Sequence, residues 1–177
     1  ALRDTGTAAT RRVVMAAALA FLGLRLALTA QVYQEREREV ERHLSALDAI
    51  PTHARVAMLV EVPCQTDWTL PWLSHLGSMA LTRKPIFVND QWANASMNPL
   101  RVRLPGAGAF ATDDKQLFFP ARCSMAPTLA QAVRALPLDA FTHVWLVGPS
   151  PSAIPSHPKL APVWRSRDAA VLRITSD

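Results

Sequence analysis

Residues 13–33 read VVMAAALAFLGLRLALTAQVY, a run of 21 residues with one charge, Arg25. As a helix the run rises about 30 Å, the thickness of a bilayer hydrocarbon core. Apolar side chains surround it completely, so it offers no polar stripe to water. It must be buried in a protein core or given to lipid, and the sequence predicts a transmembrane helix over 13–33. Arg25 makes the span more costly, and the cost shrinks if the side chain snorkels or packs against neighbouring helices.

Two alternatives stand beside this expectation. One is the buried helix of a soluble protein, with Phe21 and Leu24 inside the globule. The other is a secretory signal, with Arg11 and Arg12 as its basic start and Ala27 to Ala30 as small residues for cleavage. Signal and anchor alike export the chain beyond residue 33. Residues 1–12 are then a cytoplasmic flank, and the start at Ala1 without a methionine fits a piece of a longer protein. Basic residues lie on both sides of the span (Arg11 and Arg12 before it, Arg36, Arg38 and Arg42 after it), so their number alone does not set its orientation.

The formal charge of +5 raises the question of nucleic acid, which is settled by where the charge sits. Residues 1–33 carry +3 and the remaining chain only +2. No basic cluster with interleaved aromatics occurs, so no nucleic-acid partner is expected. The two cysteines, Cys64 and Cys123, fit either one disulfide in an oxidising compartment or two buried thiols. No spacing of ligand residues predicts a metal site, and no cofactor is expected.

Beyond the span, residues 34–51 predict a charged juxtamembrane helix. Tyr33, Val40, Leu44 and Leu47 recur at helical spacing, Glu35 with Arg38 and Glu39 with Arg42 form i,i+3 pairs, and Pro51 ends the helix. Residues 52–177 then predict an extracytoplasmic α/β domain. The runs 54–62 and 143–148 are short, Val- and Leu-rich, and suited to strands covered on both faces. Leu70 to Thr82 reads as a helix and PIFVND, 85–90, as a second strand. LRVRL, 100–104, alternates apolar with basic and suits an edge strand or an extended arm.

Residues 105–127 have no clear period and predict a long surface excursion. Thr128 is a candidate N-cap for a helix stopped by Pro137. PSPSAIPSHPKLAP predicts a proline-rich loop, and AAVLRITSD a terminal strand. Strands alternating with helices give an α/β fold: a small, largely parallel sheet with flanking helices, preceded by one transmembrane-like helix.

Open α/β sheets bind ligands beyond the carboxyl ends of their strands. On this layout Asn89, Asp90, Gln91 and Trp92 follow the second strand, while Asp67, Trp68 and His75 follow the first. Aromatic faces beside carboxylate and amide groups suit a sugar. The structural alternative is that Asn89 and Asp90 make turns and Trp92 covers the core. Arg101 and Arg103 form an alternating pair that could receive a phosphate, although exposed strand faces commonly carry arginines. No GxGxxG, GxSxG, Walker or HExxH pattern is present, which disfavours a self-contained enzyme.

HLGSMALTRKPIFVNDQWA, 75–93, followed by NPLRVRLPGAGAFATDDKQ, 98–116, resembles the carboxy-terminal soluble region of bacterial multi-spanning membrane proteins that are themselves similar to C-type glycosyltransferases. The resemblance extends over residues 13–177. It implies a periplasmic α/β appendage on a membrane body in the bacterial inner membrane, with lipid-linked sugar or glycan as its partner. In that group the catalytic acids lie in an early loop that has no counterpart here, so no catalytic residue carries over.

The expected function is an accessory extracytoplasmic domain in cell-envelope glycan or polyprenyl-phosphate sugar transfer. The alternative is a membrane-anchored module that recruits other membrane or envelope proteins. A small hydrolase using Asp67, His75 and Asp90 is a third reading, and a toxin or immunity protein a fourth.

Overall fold

The computed structural model describes residues 7–64, 72–93, 99–112, 115–149 and 153–175. The chain divides into two units, Ala1–Glu41 and Arg42–Asp177. The first is formed by most of a single helix, α1 (Ala8–Leu44). Phe21 and Leu24, the residues that a soluble helix would bury, are 66% and 60% exposed. No residue of the most apolar stretch of α1 is buried. Among the described residues α1 is the one helix long and apolar enough to cross a membrane.

The second unit is built on a six-stranded sheet of order β2-β1-β4-β6-β5, with β3 also paired to β1. The strands are β1 (Arg55–Glu61), β2 (Phe87–Val88), β3 (Leu117–Phe118), β4 (His143–Val147), β5 (Leu160–Arg165) and β6 (Ala169–Ile174). β2, β3 and β4 all run parallel to β1. β6 runs antiparallel to β4, and β5 antiparallel to β6. The predicted α/β class is the one observed, with its parallel part at the centre.

β1 and β4 lie centrally because they are apolar on both faces, and all five residues of β4 are buried. Alternation along β1 sends Ala57 and Leu59 to one face, where they join Phe118, Val144, Leu146 and Leu172. Leu129 and Val133 of α3 (Leu129–Ala135) cover this face. Val56, Met58, Val60, Trp145 and Val171 fill the other face at 1% exposure or less. Burying one such side chain stabilises the fold by about 1.5–3 kcal/mol.

Local signals position the helices. Thr128 caps α3 as predicted, its hydroxyl accepting from the Gln131 amide while the Gln131 side chain accepts from the Thr128 amide. Two backbone donors at the start of the helix are thereby met. α2 (Leu76–Arg83) packs on β2 through Gly77. A Cβ at Gly77 would lie 2.6 Å from Asp90 Cβ and 2.7 Å from Val88 Cγ1, so only glycine permits this approach.

The structure corrects two expectations about irregular segments. Residues 105–127 are not solely a surface excursion: they supply β3 and bury Ala107, Gln116 and Phe118. The gain is core area, since Phe118 seals the end of β1. The proline-rich segment is not all loop, because its last residues enter β5. Pro162 is tolerated there because β5 is an edge strand with a register shift between Pro162 and Trp164. Residues 101–104 belong to none of the six strands, and Val102 and Leu104 pack against the core.

Candidate functional site

At the carboxyl end of β2 the structure brings Asn89, Asp90 and Gln116 together, each of them buried. Asn89 Oδ1 accepts from the Met58 amide at 2.6 Å. Asp90 Oδ2 accepts from the Ser78 amide in the first turn of α2, and Ser78 Oγ donates to Asp90 O at 3.2 Å. Gln116 Nε2 donates to Asp90 Oδ1 at 3.4 Å. These bonds join β1, β2, α2 and the segment before β3.

Gln91 is half-buried, and Trp92 is 57% exposed. His75 precedes α2, is exposed, and makes no side-chain capping bond. Asp67 and Trp68 lie outside the described residues. Arg101 and Arg103 are exposed, whereas Val102 and Leu104 pack against the core.

Beyond β1 the chain is covalently fastened. Cys64 and Cys123 form a disulfide with Cα atoms 5.3 Å apart, linking the exit of β1 to the short 3₁₀ turn Ala121–Cys123. Glu61, the last residue of β1, has its pKa raised by burial, and the Arg122 guanidinium opposes that shift. Gly148 passes so close that a Cβ there would sit 2.6 Å from Glu61 Cβ.

The opposite end of the sheet holds a cleft of about 650 Å³. It lies at the amino ends of β1 and β4 and the carboxyl end of β6, away from the edge where α/β sheets ordinarily bind. Its polar lining is cationic: Arg55, Lys159 and Arg173, with His53 and His143, against the single acid Asp139. Leu138, Phe141 and Ile174 supply an apolar wall.

Three strands position these groups. Arg55 opens β1, His143 opens β4, and Arg173 lies directly across from His143 in the β4–β6 ladder. Thr142 locks the first two strands together. Its hydroxyl accepts from the Arg55 amide at 3.0 Å and donates to Arg55 O at 3.1 Å, and its own amide donates to the same carbonyl at 2.8 Å.

The His143 ring lies against this knot, with Nδ1 2.9 Å from Thr142 Oγ1. The hydroxyl proton is already committed to Arg55 O, so Nδ1 carries the ring proton and Nε2 is the basic nitrogen. Burial lowers the His143 pKa, and the Arg173 charge lowers it further, keeping the ring neutral. His53 forms the rim in a left-handed conformation at φ 60°, its amide donating to Pro85 O at 2.7 Å.

Sequence reasoning did not find this cleft. His53 and His143 were visible only as dispersed histidines, and Arg55, Lys159 and Arg173 gave no motif. The one available signal was that Arg55, His143 and Arg173 each stand at a terminus of an apolar run.

No protein-family model matches the chain, and it is similar to no curated protein and to no solved structure.

Proposed function

We propose that the chain is a membrane-tethered, extracytoplasmic α/β domain, accessory to a bacterial inner-membrane protein that acts in cell-envelope glycan or polyprenyl-phosphate sugar transfer. The observation that carries the reading is α1, whose apolar stretch has no buried residue and length enough to cross a bilayer. The Cys64–Cys123 disulfide supports export, because such bonds persist in oxidising compartments. The glycan assignment draws on the resemblance of residues 75–93 and 98–116. In this reading the domain engages glycan or supports the membrane body, and the buried Asn89 and Asp90, which spend their side chains on joining strands and helix, serve the support.

Expression of the full chain in a bacterial host with an alkaline phosphatase fused after Asp177 tests the reading. The fusion should sediment with membranes, require detergent for extraction and be active. Recovery in the soluble fraction without detergent, or an inactive phosphatase on a stably expressed fusion, would overturn the tether or the export. Lipid-linked sugar co-purifying with the chain supports the glycan role, whereas a stoichiometric protein partner without lipid-linked sugar replaces it with a recruitment module.

A further inference from the structure

We propose that the cleft at the amino ends of β1 and β4 binds a small organic carboxylate together with a proton, the carboxylate held by Arg173 and the proton by Nε2 of His143. The inference stands on the cleft alone and is independent of the membrane tether.

Register is the first argument. Arg173 and His143 are direct partners in the β4–β6 ladder, and His143 is in turn the partner of Val56 on β1. Directly paired residues project from the same face of a sheet with Cβ atoms about 5 Å apart, so guanidinium and imidazole stand side by side. Arg55 precedes Val56 and therefore projects from the other face. Lys159 already has a partner. Among the described residues Arg173 makes no ion pair. This face thus offers an anion one cation beside one imidazole, and a single guanidinium fork matches a carboxylate.

Protonation is the second. Nδ1 of His143 is committed to the Thr142 hydroxyl at 2.9 Å, which leaves Nε2 for a ligand, and burial together with the Arg173 charge keeps the free ring neutral. Nε2 therefore meets an incoming carboxylate with a lone pair, which repels it. Entry of the anion offsets the Arg173 charge that disfavours imidazolium, and a proton taken from water onto Nε2 turns the repulsion into a charge-assisted hydrogen bond. The other charged and titratable groups of the lining are His53 and Arg55 on the approach to β1, Asp139 before β4 and Lys159 before β5. None of them is a ladder partner of His143, and Arg173 is the one whose charge shifts the ring.

Size is the third. A volume of about 650 Å³ lies within the usual range for small-molecule sites, and Leu138, Phe141 and Ile174 give an organic body an apolar wall.

Nuclear magnetic resonance titration of the His143 ring, in the full chain in a neutral detergent at low ionic strength, tests the site with phenylacetate and its uncharged counterpart phenylacetamide. His143→Asn identifies the ring signal. In the free protein the ring should titrate below 6.5. Saturating phenylacetate should raise that midpoint by about one unit, and by linkage it should bind about threefold or more tighter near about pH 5.5 than near about pH 8. Phenylacetamide should neither bind nor move the midpoint.

Arg173→Gln should weaken phenylacetate binding about tenfold or more, the value of one charge-assisted contact, and Arg55→Gln, on the other face, should weaken it less. Arg173 is exposed, so circular dichroism should stay unchanged in its variant. The free ring of Arg173→Gln should titrate higher than in wild type, because one of the two causes that lower it is gone. The proposal is overturned if phenylacetate fails to bind on the acid side of neutrality, if it binds without moving the His143 midpoint, if phenylacetamide binds equally well, or if Arg173→Gln binds like wild type. Loss of carboxylate binding by a chain that still sediments with membranes removes this inference and leaves the tether standing.

Discussion

Asn89 shows how one side chain completes a sheet. On the edge of β1 away from β4, the Phe87 amide bonds Ala54 O at 2.8 Å at the start of the strand, and the Val60 and Val62 amides bond Gln116 O and Phe118 O at 2.7 and 2.9 Å at its end. Neither β2 nor β3 reaches the middle, where the Met58 amide faces a gap. Asn89 Oδ1 fills it. A buried amide without a partner costs about 1–3 kcal/mol, so Asn89→Ala should lower unfolding stability by that amount. Urea denaturation checks it, and a loss below about 0.5 kcal/mol would mean that water or a rearranged strand replaces the bond. Polar residues following a strand suggest either a ligand or a turn. The sequence could not show this third use, because it depends on β2 and β3 both being only two residues long.

Legibility of the elements tracked the strength of their local signals. β1 and β4 announce themselves as short Val- and Leu-rich runs, and α3 by Thr128 three residues before Gln131 and by the closing Pro137. β3 and β5 do not. Leu117 and Phe118 are a strand only because the end of β1 needs an edge partner, and Pro162 argues locally against a strand that the neighbouring β6 nevertheless accepts. The cationic cleft was illegible for the same reason: the pairing of His143 with Arg173 exists only in the register of an antiparallel ladder. The disulfide ties the turn that follows β3 to the exit of β1, closing a separation of 59 residues around α2, β2 and β3. By chain entropy a loop of that size is worth roughly 4 kcal/mol, and practice often delivers less. Cys64→Ser with Cys123→Ser should therefore destabilise the domain by about 2–4 kcal/mol. The loss should first show as faster amide exchange in β3, whereas unchanged exchange there would place the constraint elsewhere.

For the whole molecule, the two ends of the parallel sheet hold ionisable groups that respond to pH in opposite senses. At the cleft, burial and Arg173 lower the His143 pKa from 6.5. Below that value the unfolded chain takes up a proton that the folded protein refuses, so stability falls with falling pH until the folded pKa is passed. At the disulfide end, burial raises the Glu61 pKa from 4.5. Between 4.5 and its folded pKa the native state holds the proton more firmly, so stability falls with rising pH across that window. The domain therefore has opposing slopes from its two sheet ends on the acid side of neutrality. His143→Asn should flatten the loss that sets in just below pH 6.5, and Glu61→Gln should remove the decline above pH 4.5 while leaving the His143 slope intact. Urea midpoints of wild type and both variants at intervals between these values check the pair. A His143→Asn profile parallel to wild type would mean that the ring is as easily protonated folded as unfolded, and the neutral ring beside Thr142 would go with it.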